Sequence, residues 1–120
     1  MSVIDTSQIS LWRTHLTVDV RVVGSGERMT MLYSITHPGP PIPAHKHPNE
    51  QIVYCLQGEA TYKLGDKTMF VKKDYTLLIP PNMPHSLTVS SKEDYVAIEV
   101  FSPIRPDLIR KEFTPEKLKE

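Results

Sequence analysis

The sequence predicts an all-β fold, a small barrel or two-sheet sandwich of about eight or nine short strands. Three observations predict it. Prolines outnumber glycines 11 to 5 and gather at residues 38–48, 80–84 and 103–115. Between those clusters, apolar and polar residues alternate with the period of a strand. Helical periodicity is absent until the tail, where Thr114-Pro115-Glu116 reads as a capped helix start that runs out of chain. Stiff, proline-rich loops joining short strands follow from this pattern.

Taken in order, Leu16, Val18, Val20 and Val22 share one face of the first expected strand, opposite Thr17, Asp19 and Arg21. Gly24-Ser25-Gly26 turns the chain, and Met29, Met31, Tyr33 and Ile35 repeat the alternation. In the next strand Ile52, Tyr54 and Leu56 oppose Gln51, Val53 and Cys55. Both of its faces are largely apolar, so it lies centrally or is covered on its outer side by another subunit, which predicts a symmetric homodimer. Ala60, Tyr62 and Leu64 reverse at Gly65-Asp66 and return through Met69 and Val71 as a hairpin. Strands are further expected at Thr76–Ile79, His85–Val89 and Tyr95–Phe101.

The 120 residues, 39% hydrophobic, suit one domain over 1–120 with a modest core. Lys plus Arg number 14 and Asp plus Glu 14, so the net charge is zero and no generally basic surface exists for nucleic acid or an acidic membrane. The one cysteine, Cys55, has no partner for an internal disulfide, which fits a reducing cytoplasm. No run of apolar residues reaches the roughly 18 of a spanning helix, so a soluble cytoplasmic protein without membrane or nucleic-acid partners is expected.

Chemistry concentrates in the histidines. His45 and His47, two apart on an extended segment, leave the same face and reach one point. Gln51 at the start of the following strand and His85 at the head of a later one can turn towards it. Three imidazoles and one amide would hold a divalent ion without a charged ligand, leaving it a strong Lewis acid for an anionic or chelating oxygen substrate. Each histidine alone reads equally well as a surface or core residue. Glu50, turned to the opposite side by strand alternation, is expected to lie outside the site.

The surrounding pattern resembles the two motifs of the cupin superfamily. Gly39, His45, His47, Gln51 and Gly58 stand at the spacing of the first motif, with glutamine where most members carry glutamate. Pro80 and His85 match the second, in which Asn82 and Asp74 occupy glycine slots and Val89 an asparagine slot. Asn tolerates the left-handed turn that such a glycine serves. The resemblance implies the cupin double-stranded β-helix, a jelly-roll barrel, with its core at about residues 30–108. The neutral carboxamide suits non-redox chemistry, and zinc, nickel or manganese over iron.

The HxHPxEQ run, the IPPNxPH turn and the ExFSPxRxDL ending are similar to the small cupins of the KdgF type, which open unsaturated uronates to linear keto forms. That likeness implies metal ligands His45, His47, Gln51 and His85, a proton-transfer role for Glu99 and a carboxylate clamp in Arg105. Glu99 reaches one methylene further than the aspartate usual there. Simpler roles remain: Glu99 orients a histidine ligand, and Arg105 pairs with Asp107 at the surface. Tyr33, Tyr62, Phe101, Met29, Met31 and Met83 read as core or pocket lining, Cys55 as core packing, Trp12 as an anchor for a subunit contact, and His15 and His37 as having no role. The alternatives to a metal-dependent isomerase or lyase on a carboxylated sugar are a non-catalytic small-molecule binder and an iron-dependent dioxygenase.

Overall fold

The computed structural model describes residues 3–108; the expected helix start at Thr114 lies outside them. Ten strands follow one another: β1 (Trp12–His15), β2 (Val18–Ser25), β3 (Thr30–Thr36), β4 (Ile42–His45), β5 (Glu50–Gln57), β6 (Glu59–Leu64), β7 (Lys67–Lys72), β8 (Thr76–Ile79), β9 (His85–Val89) and β10 (Tyr95–Ser102). They form two antiparallel sheets, one ordered β1-β2-β3-β10-β5-β8 and the other β4-β9-β6-β7, which is a jelly roll. Among the described residues no helix is long and apolar enough to cross a membrane.

Backbone conformation explains the turns. Gly65 (φ 58°) and Asp66 close a two-residue hairpin between β6 and β7, in which Leu64 pairs with Lys67. At Gly58 (φ 82°) a side-chain carbon would come within 2.5 Å of the Asp94 carbonyl oxygen, so only glycine fits between β5 and β6. Asp74 (φ 74°) and Asn82 (φ 61°) adopt the left-handed conformation in the two slots where the second motif has glycine.

The core has two parts. Val53, Cys55, Ala60, Tyr62, Leu64, Val71, Leu77, Ile79, Tyr95 and Ala97 pack between the sheets at the closed end. Val20, Val22, Leu32 and Phe101 form a second cluster under β2 and β3, against which Trp12 and Leu108 pack. Full burial of each such aliphatic side chain contributes on the order of 1.5–3 kcal/mol. Cys55 is core packing, as expected, with its thiol directed at the Gly58 carbonyl oxygen.

Three sequence expectations are corrected. β3 turns Thr30, Leu32, Ser34 and Thr36 inward and Met31 outward, with Tyr33 half-buried beneath the Arg21 guanidinium, so Met29 and Met31 are surface residues. Alternation defines two faces but not which one is inside; here polar side chains go inward because they meet partners there, Thr30 with Ser25 and Ser34 with the Ala97 carbonyl. Leu16 is exposed in a turn between β1 and β2 rather than continuing the first strand. β4 was not anticipated, since Pro43 lies within it; as the edge strand of its sheet it tolerates the missing donor.

The outer face of the larger sheet carries an apolar row that crosses strands in register: Val100 pairs with Met31 and with Ile52, and Ile52 pairs with Leu78. Ile52, Tyr54 and Leu56 are all exposed on it, as the sequence indicated.

His37, expected to have no role, ties three segments together. Its Nε2 lies 2.8 Å from Asp19 Oδ2 on β2 and its Nδ1 2.9 Å from Asp94 Oδ1 before β10. Asp19 also accepts both arms of Arg13 from β1, at 2.8 and 2.9 Å. Two carboxylates facing both ring nitrogens require both to carry protons, so the hydrogen bonds the ring donates to Asp19 and Asp94 raise the His37 pKa above its ordinary 6.5, against a smaller desolvation effect. The imidazolium's stabilisation is fully present below pH 6.5 and is lost as the pH rises through the raised native value. The melting temperature of the parent should therefore exceed that of His37→Gln at pH 6 and approach it at pH 9. A gap that does not change over this range would exclude the charged pairing.

Candidate functional site

The site forms where the two sheets meet at one end of the barrel. β4 ends on His45 and β9 begins on His85, and the antiparallel pairing sets these two residues opposite each other. His47 follows β4 in the loop, and Gln51 enters on β5, facing Phe101 of β10. The ring centroids of His45 and His85 are 4.3 Å apart, those of His47 and His85 5.0 Å, and those of His45 and His47 6.3 Å. His47, Gln51 and His85 are buried and His45 stands at the exposed rim. The four residues singled out from the sequence thus come together, and Glu50 is exposed and turned away.

Each imidazole is oriented by a backbone carbonyl two residues away. His45 Nδ1 meets Pro43 O at 3.0 Å, His47 Nδ1 meets Asn49 O at 3.1 Å, and His85 Nδ1 meets Met83 O at 2.8 Å. Since a carbonyl only accepts, each Nδ1 carries the proton and each Nε2 of a neutral ring presents a lone pair. Burial favours the neutral form of two of the rings: desolvation lowers the His47 pKa, and it lowers that of His85 to about 4.

A consequence is visible at His47. Its Nε2 lies 3.0 Å from Gln51 Oε1, while the Gln51 amide nitrogen donates to Glu99 Oε1 at 2.5 Å. Two acceptor atoms therefore face each other, an arrangement that favours a cation between them. Desolvation disfavours a proton on His47, so a divalent ion fits the donor set of three Nε2 atoms and one amide oxygen. Among the described residues, no three His, Cys, Asp or Glu side chains are already closed to the spacing of a formed metal centre. The donor set is what fits.

Beside this cluster opens a pocket of about 530 Å³, lined by His45, Tyr62, Glu99, Phe101, Arg105 and Asp107, among others. That size suits one small molecule. Desolvation raises the Glu99 pKa, opposed by hydrogen bonds from the Ser34 hydroxyl and the Gln51 amide and by the nearby Arg105 guanidinium. Arg105 stacks on the Phe101 ring, 4.8 Å from its centroid, and the same ring meets His47 edge-on at 5.4 Å. Arg105 also forms the ion pair with Asp107, Nη2 to Oδ2 at 2.7 Å.

Several contributors escaped the sequence reading. Buried Asn49 donates to the carbonyls of Pro103 and Ile104, and the Arg105 backbone N–H donates to Thr30 Oγ1 at 3.0 Å. Together they fasten the loop that carries Arg105 over the pocket. Trp12, expected at a subunit contact, packs on the second core cluster and lines the pocket, as does His15. Asn49 sits inside the histidine motif, but only its burial separates it from a surface polar residue. Tyr62 and Phe101 line the pocket as expected, and Met83 packs against the core.

Comparison with known proteins agrees with this architecture. The chain is similar in structure to KdgF from Halomonas sp. (TM-score 0.81, 18% identity, covering 89% of this chain and 99% of that one). It is similar to an RmlC-like cupin from Shewanella frigidimarina NCIMB 400 (TM-score 0.78, 17% identity, 86% and 91%). A predicted oxalate decarboxylase from Thermotoga maritima is also similar (TM-score 0.75, 19% identity, 84% and 98%). At these identities the likeness is one of fold. No curated protein matches by sequence. The family described as "Cupin domain" matches residues 32–101, more than half of the chain, and with the paired sheets and the histidine cluster at the barrel end this protein belongs to the cupin family.

Proposed function

We propose that the protein is a metal-dependent, non-redox enzyme that opens an unsaturated uronate, or a closely related carboxylated sugar, to its linear keto form. The observation that carries the reading is that one pocket, with His45 of the histidine cluster in its wall, is also lined by a carboxyl group with a raised pKa and an arginine. His45, His47, Gln51 and His85 would hold the ion, zinc, nickel or manganese in preference to iron. When bound, it supplies Lewis acidity to substrate oxygens.

The chain's own residues account for the remaining steps. Arg105 pairs with the substrate carboxylate, its guanidinium plane fixed by the Phe101 ring. Glu99, raised towards neutrality by burial, is suited both to take and to give a proton. As carboxylate it accepts the proton of the anomeric hydroxyl while the bond from that carbon to the ring oxygen breaks. The electrons of the O–H bond form the aldehyde C=O, and those of the broken bond stay on the ring oxygen, so the former enol ether becomes an enolate. Glu99 then returns the proton to the enolate carbon, giving the ketone with no change in composition or oxidation level. Gln51, which donates to Glu99, fixes the position of the carboxyl.

The metal assignment and the chemistry are tested separately. Metal analysis of His45→Ala and His85→Ala should show loss of most of the divalent ion; native content in both would overturn the ligand set. On an unsaturated uronate, Glu99→Gln should lower kcat by roughly 10²- to 10⁴-fold at full metal content. Arg105→Lys, which keeps charge and loses the fork, should chiefly raise KM. Turnover at the parent rate by Glu99→Gln would make Glu99 structural.

We also propose that two copies pair through the apolar row of Met31, Val100, Ile52 and Leu78, since a second identical face would cover it. Light scattering at low micromolar concentration should give twice 13.7 kDa. A monomer at that concentration excludes the pairing.

A further inference from the structure

We propose that Asp107 is an internal stand-in for the substrate's carboxylate, which an incoming carboxylate must displace from Arg105 in order to bind. The proposal rests on the reading of Arg105 as the carboxylate clamp. Arg105 Nε donates to Asp107 Oδ1 at 3.0 Å and Nη2 donates to Oδ2 at 2.7 Å. These parallel bonds are the fork geometry with which arginine receives any carboxylate. The edge of Arg105 that would recognise a uronate is therefore already occupied by a group of the same chemistry.

The two partners are held unequally. The Arg105 side chain is 19% exposed and that of Asp107 61%. Arg105 is fixed by the Phe101 ring beneath it and by Thr30 at its backbone N–H. Asp107 sits on a short 3₁₀ turn, Pro106–Leu108, whose Leu108 packs on the second core cluster. A change of side-chain rotamer carries the Asp107 carboxylate into water while the turn and the cation stay in place. Exchange of one carboxylate for another keeps the charge pairing and both hydrogen bonds, and an exposed ion pair costs little to open. A neutral sugar offers no such exchange and leaves the pair closed. Asp107 is in this way a specificity residue: it keeps the guanidinium paired against neutral ligands and gives way to an anion.

The test uses the full chain, Asp107→Asn, and three probes: acetate, galacturonate and the neutral methyl ester of galacturonate. Asp107→Asn should bind acetate and galacturonate roughly two- to fivefold more tightly than the parent, the factor set by the worth of an exposed pair. Binding of the methyl ester should not change. In the parent, the Asp107 side-chain carboxyl ¹³C resonance should move as acetate is added while the Arg105 Nε–H resonance stays hydrogen-bonded. The resonance separates displacement from a simple loss of negative charge. Equal or weaker carboxylate binding by Asp107→Asn, no carboxylate binding by either protein, or binding that leaves the Asp107 resonance unmoved would each overturn the proposal. A parent that exchanges Asp107 for acetate yet turns over no uronate loses the enzymatic reading and keeps this one. One that turns over uronates with a KM raised by Asp107→Asn does the reverse.

Discussion

The structure of the site depends on one constraint, the anchoring of each imidazole Nδ1 to a backbone carbonyl two residues away in the chain. With Nδ1–H spent on Pro43, Asn49 and Met83, a neutral ring at each position keeps its lone pair on Nε2, and His47 Nε2 meets the Gln51 amide oxygen at 3.0 Å. Side-chain rotamers alone would not fix ring orientation this closely; the Pro43 carbonyl belongs to β4, and those of Asn49 and Met83 to the loops that lead into β5 and β9. Burial favours the neutral form of His47 and His85 and so keeps their lone pairs available.

From that cluster the arrangement spreads outward through β10. This strand lies between β3 and β5, and its inward residues alternate Glu99 and Phe101, so the candidate proton-transfer group and an aromatic platform sit on one face at successive inward positions. Gln51 joins the two sides, with its oxygen towards His47 and its nitrogen towards Glu99. Phe101 joins the next two, His47 at its edge and Arg105 over its face. A single strand thus links the candidate metal ligands to the candidate carboxylate clamp. Inward Thr30 and Ser34 belong to the same logic, because Thr30 accepts the Arg105 backbone N–H and Ser34 donates to the Ala97 carbonyl of β10.

Much of this was legible in the residues themselves. The period-two alternation and the proline clusters imply an all-β chain, and motif spacing singles out His45, His47, Gln51 and His85. Asn82 was read as a tolerable replacement for glycine, and it adopts the left-handed conformation; Asp74, in the other glycine slot, does too. These features are local: strand period, turn conformation and short-range spacing depend on residues a few positions apart.

Tertiary structure decided what depends on distant neighbours. Alternation marked two faces on β3 but could not say that the one with threonine and serine was inside, because that follows from Arg105 and Ala97, more than sixty residues further on. β4 was hidden by Pro43 until its place at a sheet edge removed the need for that donor. Trp12 and His15 became pocket lining only when β1 folded beside β2 over the barrel mouth. The raised pKa of Glu99 and that of His37 likewise have no counterpart in the one-dimensional chain. Desolvation sets the first, and carboxylates eighteen and fifty-seven residues away set the second. The sequence by itself determined which groups were present and their local geometry; their environment, and hence their protonation and partners, was a property of the closed barrel.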